Sequence, residues 1–272
     1  SGGPSTGLPT KSEQTDLLAA MYGRHGEAPV PILAPATPGD CFYIVLEAFR
    51  LALKYMTPVI VLSDGGLSNA SEPWKIPEEN KLPDIKPDFQ TEQESFSPYR
   101  RNQETLARNW AVPGTPGLEH RLGGLEKDSV SGEISYDPEN HEKMVLLRDE
   151  KIKRIKKDLP PLEIIGPEKN ILLVVTWGSV YGPAFSAIKE LQEQGSPVSM
   201  LHLRYLNPFQ KNLAGILNNF KKVLVPEMNL GQLSSLLRAE FLVDTIPFSK
   251  VQGRPFLISE IRSKILELLA EK

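Results

Sequence analysis

The run I-L-L-V-V-T-W-G-S, Ile171–Ser179, is continuously apolar or β-branched until it breaks on a glycine and a serine. A strand that is apolar on both of its alternating faces is covered by helices on both sides, which is the habit of a parallel sheet. Outward from it, Ala184, Ile188 and Leu191 recur at helical spacing and stop at Gly195, a residue suited to ending a helix. P-V-S-M-L-H-L (Pro197–Leu203) reads as a second strand and K-V-L-V-P-E (Lys222–Glu227) as a third, with a short helix around Leu213 to Phe220 between them. Helices over Gln232 to Phe241 and Ser259 to Leu269 flank a Pro-Phe turn. Strands alternating with helices predict a small α/β sheet with crossover connections.

The same pattern appears near the start. P-I-L-A-P-A (Pro31–Ala36) is a short apolar strand, and Phe42, Val45, Leu46, Phe49 and Leu53 mark one apolar face of a helix over 38–56. P-V-I-V-L-S-D-G (Pro58–Gly65) reads as a buried parallel strand ending on a small, acidic turn. Thr10 to Tyr22 reads as a helix with Ser12 as N-cap. From Gly66 to about Met144 the periodicity collapses into segments such as P-W-K-I-P and V-P-G-T-P-G. Trp74, Phe89, Phe96, Tyr99 and Trp110 argue against disorder there, because disordered chains are poor in aromatics. The expectation is an ordered excursion over 66–144, then a charged helix stopped by Pro160-Pro161. Residues 1–160 are read as one domain and 161–272 as a second.

Composition narrows the classes of function. With 272 residues, 40% hydrophobic and 24% charged, the chain is long enough for a sizeable core. A net charge of −3 gives no global attraction to nucleic acid or anionic lipid, so neither nucleic acid nor membrane is an expected partner. No apolar run approaches the roughly 20 residues that span a bilayer. The one cysteine, Cys41, makes no intrachain disulfide and cannot supply the four thiolates of an iron–sulfur cluster. A cytoplasmic setting is the expectation, and the non-Met start predicts a processed chain or a fragment.

Few residues stand out chemically on spacing alone. Lys11-Ser12 lacks the glycine before the lysine that a Walker loop requires. The glycines and hydroxyls of S-G-G-P-S-T-G-L-P-T (Ser1–Thr10) nevertheless precede a helix start, where backbone N–H groups favour anions. Asp64 stands at the carboxyl end of a predicted parallel strand, where ligands bind in open α/β sheets, although capping the next turn is the commoner role. His120, between Glu119 and Arg121, suits either an anionic ligand or a surface ion network. His25 and His141 read as solvated, and Cys41 as a small buried hydrophobe. Glu119, His120, His141 and Glu142 lack the close spacing of a zinc site. W-G-S-V-Y-G (Trp177–Gly182) has the glycines of a tight strand-to-helix turn that suits approach to a ligand or a partner backbone; it lacks the full G-x-G-x-x-G fingerprint, and packing alone explains it.

Six strings in order resemble the α subunit of 2-oxoacid:ferredoxin oxidoreductases, most closely the 2-oxoglutarate branch. They are G-G-P-S-T-G-L-P-T-K-S-E-Q-T-D-L (Gly2–Leu17), P-V-I-V-L-S-D at Pro58 and G-L-E-H-R-L-G-G-L-E-K at Gly117. D-P-E-N-H-E-K-M at Asp137, H-L-R-Y-L-N-P-F at His202 and P-E-M-N-L-G-Q-L-S-S-L-L-R at Pro226 complete them. The resemblance implies a pyrimidine-binding thiamine diphosphate domain, truncated at its start, followed by an α/β domain like the transketolase C-terminal domain. It implies oxidative decarboxylation of 2-oxoglutarate to succinyl-CoA with electrons to ferredoxin; pyruvate or a branched-chain oxoacid is the alternative substrate, and a non-catalytic assembly module the alternative role.

The same resemblance places thiamine diphosphate at an interface with a β subunit, which would hold Mg2+ and a [4Fe-4S] cluster. Ferredoxin and coenzyme A would join through the complex, with an α–α contact. Gly3, Ser5, Thr6 and Thr10 map onto the substrate side of the cofactor pocket. The family's arginine two positions before Gly3 is replaced by Ser1 here, and its activating glutamate lies upstream of this sequence. No complete catalytic set and no metal site is therefore expected in this chain, and the isolated chain is expected to be inactive.

Overall fold

The computed structural model describes residues 11–94 and 96–271. Gly3, Ser5, Thr6 and Thr10 lie outside the described residues. The second half carries a five-stranded sheet, built from β3 (Ile164–Ile165), β4 (Asn170–Thr176), β5 (Val198–His202), β7 (Phe220–Glu227) and β8 (Thr245–Ser249). Its order is β3-β5-β4-β7-β8. The last four are parallel, and β3 is an antiparallel edge.

β4 explains why the opening run is apolar on both faces. Leu173 and Val175 enter one core with Leu17, Ile32, Leu206 and Leu237. Leu172 and Val174 enter the other with Ile188, Leu191, Ile261 and Ile265. Alternation of period two thus feeds two separate helix layers. Helices α5 (Tyr181–Glu193) and α8 (Ile258–Ala270) cover one face, and α7 (Gln232–Phe241) lies on the other with α6 (Leu213–Leu217).

The T-I-P-F-S segment, expected as a turn, is strand β8. Pro247 is tolerated because β8 is the sheet edge, where a missing N–H costs no ladder bond. Pro226 is tolerated in central β7 because pairing with β4 stops at Val174↔Leu224. The strands β3 and β6 (Tyr205–Asn207) carry no pattern long enough to be recognised in the sequence.

The first half contains α1 (Leu17–Tyr22), β1 (Ile32–Leu33), α2 (Asp40–Tyr55), β2 (Ile60–Val61), α3 (Gly65–Ser68) and α4 (Pro138–Arg154). β1 pairs parallel with β2 and antiparallel with β6, which gives the order β2-β1-β6. The second half thus contributes a strand to the first sheet, and Leu17, Ile32 and Ala34 share a core with β4.

Four expectations are corrected. Helix α1 begins at Leu17 rather than near Ser12, because the preceding backbone is spent on tertiary hydrogen bonds (Ser12 N to Gly253 O, 3.2 Å; Gln14 N to Met228 O, 3.1 Å). The buried face of α2 is Ile44, Leu51 and Tyr55, while Phe42, Val45 and Phe49 are exposed. Strand β2 lies at the edge of its sheet and is half-buried, not fully buried. Cys41 is also half-buried, its thiol 3.6 Å from the Thr37 carbonyl and pushed up first by burial and then by Asp40.

The excursion is ordered by local bridges, Phe89↔Trp110, Arg101↔Arg108 and Lys127↔Ile134. Trp110 Nε1 donates to the Leu53 carbonyl of α2 at 2.8 Å. It ends earlier than expected, at α4, whose N-terminus is capped by Asp137 and carries a proline in its first turn.

Candidate functional site

Segments from both halves meet at the carboxyl ends of the parallel strands, immediately after the G-G-P-S-T-G-L-P-T stretch. β4 runs through buried Trp177 to Gly178, whose φ is +59°. A side chain at Gly178 would stand 2.6 Å from both Asp64 Oδ2 and Gln14 Nε2, so the backbone approaches as only glycine allows. Asp64 accepts from Gly66 N (2.9 Å) and Leu67 N (3.1 Å) through Oδ1, capping α3, and from Ser179 N (2.8 Å) through Oδ2. One carboxylate therefore caps a turn and ties β2 to β4. The turn W-G-S, read as suited to a ligand, a partner backbone or simple packing, packs against these side chains.

Gln14 holds the other side. Its Nε2 donates to the Trp177 carbonyl at 2.8 Å, and its Oε1 accepts from Met228 N at 3.0 Å. Asn229 Nδ2 donates to the Gln14 carbonyl at 2.8 Å, and Gln232 Nε2 donates to the Thr15 carbonyl at 2.9 Å. Beneath them Glu227 is fully buried and accepts from Trp177 Nε1, Asn229 Nδ2, Leu233 N and Ser234 N at 2.8–3.2 Å. Burial raises its carboxyl above the usual range, and these donors counter that at the start of α7.

A second set of contacts joins α2 to the H-L-R-Y-L-N-P-F string. Arg204 forks onto Asp40 (Nε to Oδ2 3.0 Å, Nη2 to Oδ1 2.5 Å), and Tyr205 OH donates to Glu47 at 3.0 Å. His202, at the end of β5, has Nδ1 2.9 Å from Thr176 Oγ1 and its ring edge on Tyr181. Its buried Nε2 has no protein partner, and burial, aided by Arg204, pushes its pKa down to about 3.

Of the residues singled out in the sequence, Asp64 belongs to this junction as a cap and tie. His120 does not. It is exposed on the excursion, with Nδ1 2.8 Å from the Leu118 carbonyl and its ring 5.2 Å from Phe96. His141 pairs with Glu126 at 2.8 Å. Among the described residues no three His, Cys, Asp or Glu side chains gather as metal ligands. Gly178 lies in the turn that the spacing had singled out, whereas Gln14 and Glu227 escaped the spacing arguments, since each reaches partners such as Trp177 that are distant in sequence. The strings containing Gln14 and Glu227 were nevertheless among those that carry the resemblance.

The larger sheet, with its four parallel strands, and the mixed sheet β2-β1-β6 meet at this junction, an α/β architecture built from both halves of the chain. Residues 2–136 match the family model described as pyruvate flavodoxin/ferredoxin oxidoreductase, thiamine diphosphate-binding, and residues 171–259 match pyruvate:ferredoxin oxidoreductase core domain II. The chain belongs to the 2-oxoacid:ferredoxin oxidoreductase family and aligns with its α subunits.

It is 54% identical to the 2-oxoglutarate oxidoreductase subunit KorA of Mycobacterium tuberculosis, over 99% of this chain and 41% of that one. It is 33% identical to a 2-oxoacid:ferredoxin oxidoreductase α subunit of Aeropyrum pernix, over 98% of this chain and 43% of that one. Among solved structures, a 2-oxoglutarate:ferredoxin oxidoreductase from Magnetococcus marinus, determined with 2-oxoglutarate, coenzyme A and succinyl-CoA bound, superposes with a TM-score of 0.93 at 34% identity. That match covers 98% of this chain and 47% of the other. The chain thus spans about two fifths of the length of these curated relatives. No helix among the described residues is long and apolar enough to cross a membrane.

The described residues do not themselves fit a diphosphate–metal site. The junction's carboxylates, Asp64 and Glu227, are occupied by N–H donors, and no acidic ligand cluster lies nearby. What they hold is one another and the backbone at Ser12, Gln14 and Thr15.

Proposed function

We propose that this chain is part of the α subunit of a 2-oxoglutarate:ferredoxin oxidoreductase, which converts 2-oxoglutarate to succinyl-CoA and passes electrons to ferredoxin. The observation that carries this reading is the 54% identity, along 99% of the chain, to a 2-oxoglutarate oxidoreductase subunit. Thiamine diphosphate, when bound, supplies the carbanion-stabilising chemistry, and the protein contributes position and electrostatics.

The role we assign to Gly3, Ser5, Thr6 and Thr10 is recognition of the oxoacid carboxylate by hydroxyl and backbone N–H groups. Gln14 ties the chain beyond that segment to Trp177 and Met228, and Asp64 ties the neighbouring turn to Ser179. A β subunit would hold Mg2+ and the [4Fe-4S] cluster; ferredoxin and coenzyme A would meet the assembled enzyme, and α subunits would contact one another. We place the domain boundary at 160/161, beyond α4, which ends at Arg154, earlier than the expected stop at Pro160, and the protein in the cytoplasm, in keeping with its single free cysteine.

The test is a substrate panel on the complete enzyme, assembled with its β subunit, thiamine diphosphate and coenzyme A. Viologen reduction should show the highest kcat/KM with 2-oxoglutarate, and Thr6→Val should raise its KM about tenfold or more, the usual scale for an unpaired polar group at a site built for it. A higher kcat/KM with pyruvate or a branched-chain oxoacid overturns the substrate. A Thr6→Val enzyme with unchanged KM overturns the role of Thr6.

A further inference from the structure

The excursion and α4 enclose a cluster of cations that the oxidoreductase reading does not use. Arg101 and Arg108 are partners across an antiparallel bridge, so their side chains share a face, where like charges repel. That face meets α4 at Met144, through Arg101 Nη2 on Met144 Sδ (3.6 Å), and α4 adds Arg148 and Lys151, one turn apart. The partners found for these cations are almost all neutral. Arg101 Nη1 donates to the Leu106 carbonyl, Arg108 to the Pro98 carbonyl while lying 4.7 Å over the Tyr99 ring, and Lys151 to the Met56 carbonyl.

Glu126 is the one carboxylate among the described residues within ion-pair range of the four. It is 3.8 Å from Arg148 and is itself engaged by His141 at 2.8 Å. Arg101 Nε is buried with no hydrogen-bond partner. Two other cations of the same helix behave differently: Lys153 pairs with Asp149, Arg154 with Glu150.

Four cations against one shared carboxylate, with a buried guanidinium N–H unmet, are costly without a counter-charge. Burial and the three arginines push Lys151 down to about 8, which shows the strain of that excess. Arg148, 37% exposed, leaves one side open to solvent. We infer that Arg101, Arg108, Arg148 and Lys151 form a binding site for a phosphate group. Three guanidinium groups and an ammonium suit a dianion with three acceptor oxygens better than a single carboxylate. The phosphate comes either from a free ion or from a phosphate-bearing cosubstrate such as coenzyme A.

Thermal unfolding of the full protein measures this directly, because a ligand bound to the folded state alone raises Tm. Inorganic phosphate at 10 mM, against sodium chloride of equal ionic strength, should raise Tm, and Arg148→Gln and Arg108→Gln should each weaken phosphate binding at least tenfold. Coenzyme A binding more tightly than its 3′-dephospho form, with the difference lost in Arg148→Gln, identifies the cosubstrate as the source; equal binding of the two, with inorganic phosphate still effective, identifies the free ion. The inference is overturned if neither probe shifts the Tm of the unmodified protein, a result that needs no variant to fold. It is equally overturned if folded variants bind both probes as the parent does, or if only an acidic protein partner responds to the substitutions.

Discussion

The junction at the ends of β2, β4 and β7 and the excursion between α3 and α4 are built on opposite rules. At the junction, Asp64, Gln14, Asn229 and Glu227 spend their polar atoms on one another and on backbone groups from distant parts of the chain. In the excursion, most hydrogen bonds are local turns, Ile76 and Tyr136 stand about four-fifths exposed, and arginines face arginines. A region whose polar groups are nearly all paired holds one geometry; a region with exposed apolar and uncompensated charged groups retains free energy for a partner. The contrast sets a closely hydrogen-bonded junction against a looser, more exposed excursion.

The largest effect should come from breaking the junction where its geometry is tightest. Gly178→Ala places a methyl group 2.6 Å from Asp64 Oδ2 and Gln14 Nε2 at a φ of +59°. The left-handed conformation alone costs roughly 1–2 kcal/mol, and displacing two buried hydrogen-bonding groups should bring the total above about 3 kcal/mol. Urea unfolding should therefore give a midpoint far below that of the parent. By comparison, Gly123→Ala, also at positive φ (+73°) but with nothing near the added methyl, should cost only the backbone strain. Equal losses at the two glycines would mean that the close approach carries no energy of its own.

The two regions were also unequally legible in the sequence. β4, β5 and β7 were visible because burial on both faces leaves a long apolar run, as Leu172–Val175 shows. β1 and β2 were shorter, and their outline survived because prolines and Asp64 bracket them. The facing of α2 was misread because apolar residues flank its charged stripe of Asp40, Glu47, Arg50 and Lys54 on both sides. Phe42 and Trp74 meet at 5.2 Å on its outer side, whereas Ile44 and Leu51 define its core side. Pairings such as Gln14 with Trp177, or Arg101 with Arg148, join residues too far apart for periodicity to relate. The resemblance strings located the former; nothing in the sequence pattern located the latter.

A smaller effect should sharpen the comparison on the side of the sheet. His202 is held neutral with its pKa down at about 3, against about 6.5 in an unfolded chain. The depressed value means that the unfolded state takes up a proton first as pH falls. Stability from this group is therefore complete above about pH 6.5 and is lost progressively from there toward pH 3, at up to about 1.4 kcal/mol per pH unit. The slope of unfolding free energy between pH 6.5 and 5 should flatten in His202→Gln, while titrations elsewhere cancel between the two proteins. Parallel slopes would show that the buried imidazole does not govern this range.

The smallest effect tests how the excursion is attached. Trp110 Nε1 donates to the Leu53 carbonyl, at 2.8 Å, and Phe89 bridges to Trp110 within the excursion. Trp110→Phe keeps an aromatic ring against α2 and removes only the N–H, leaving one half-buried carbonyl to find water. The global cost should be about 1 kcal/mol or less. Local opening is the more sensitive observable, because segments with few buried apolar contacts unfold below the global free energy. Limited proteolysis should cut within residues 66–137 several-fold faster in Trp110→Phe, with the five-stranded sheet still protected. Faster cleavage across both regions would mean that excursion and junction open as one unit, and that the difference between them is one of composition rather than of stability.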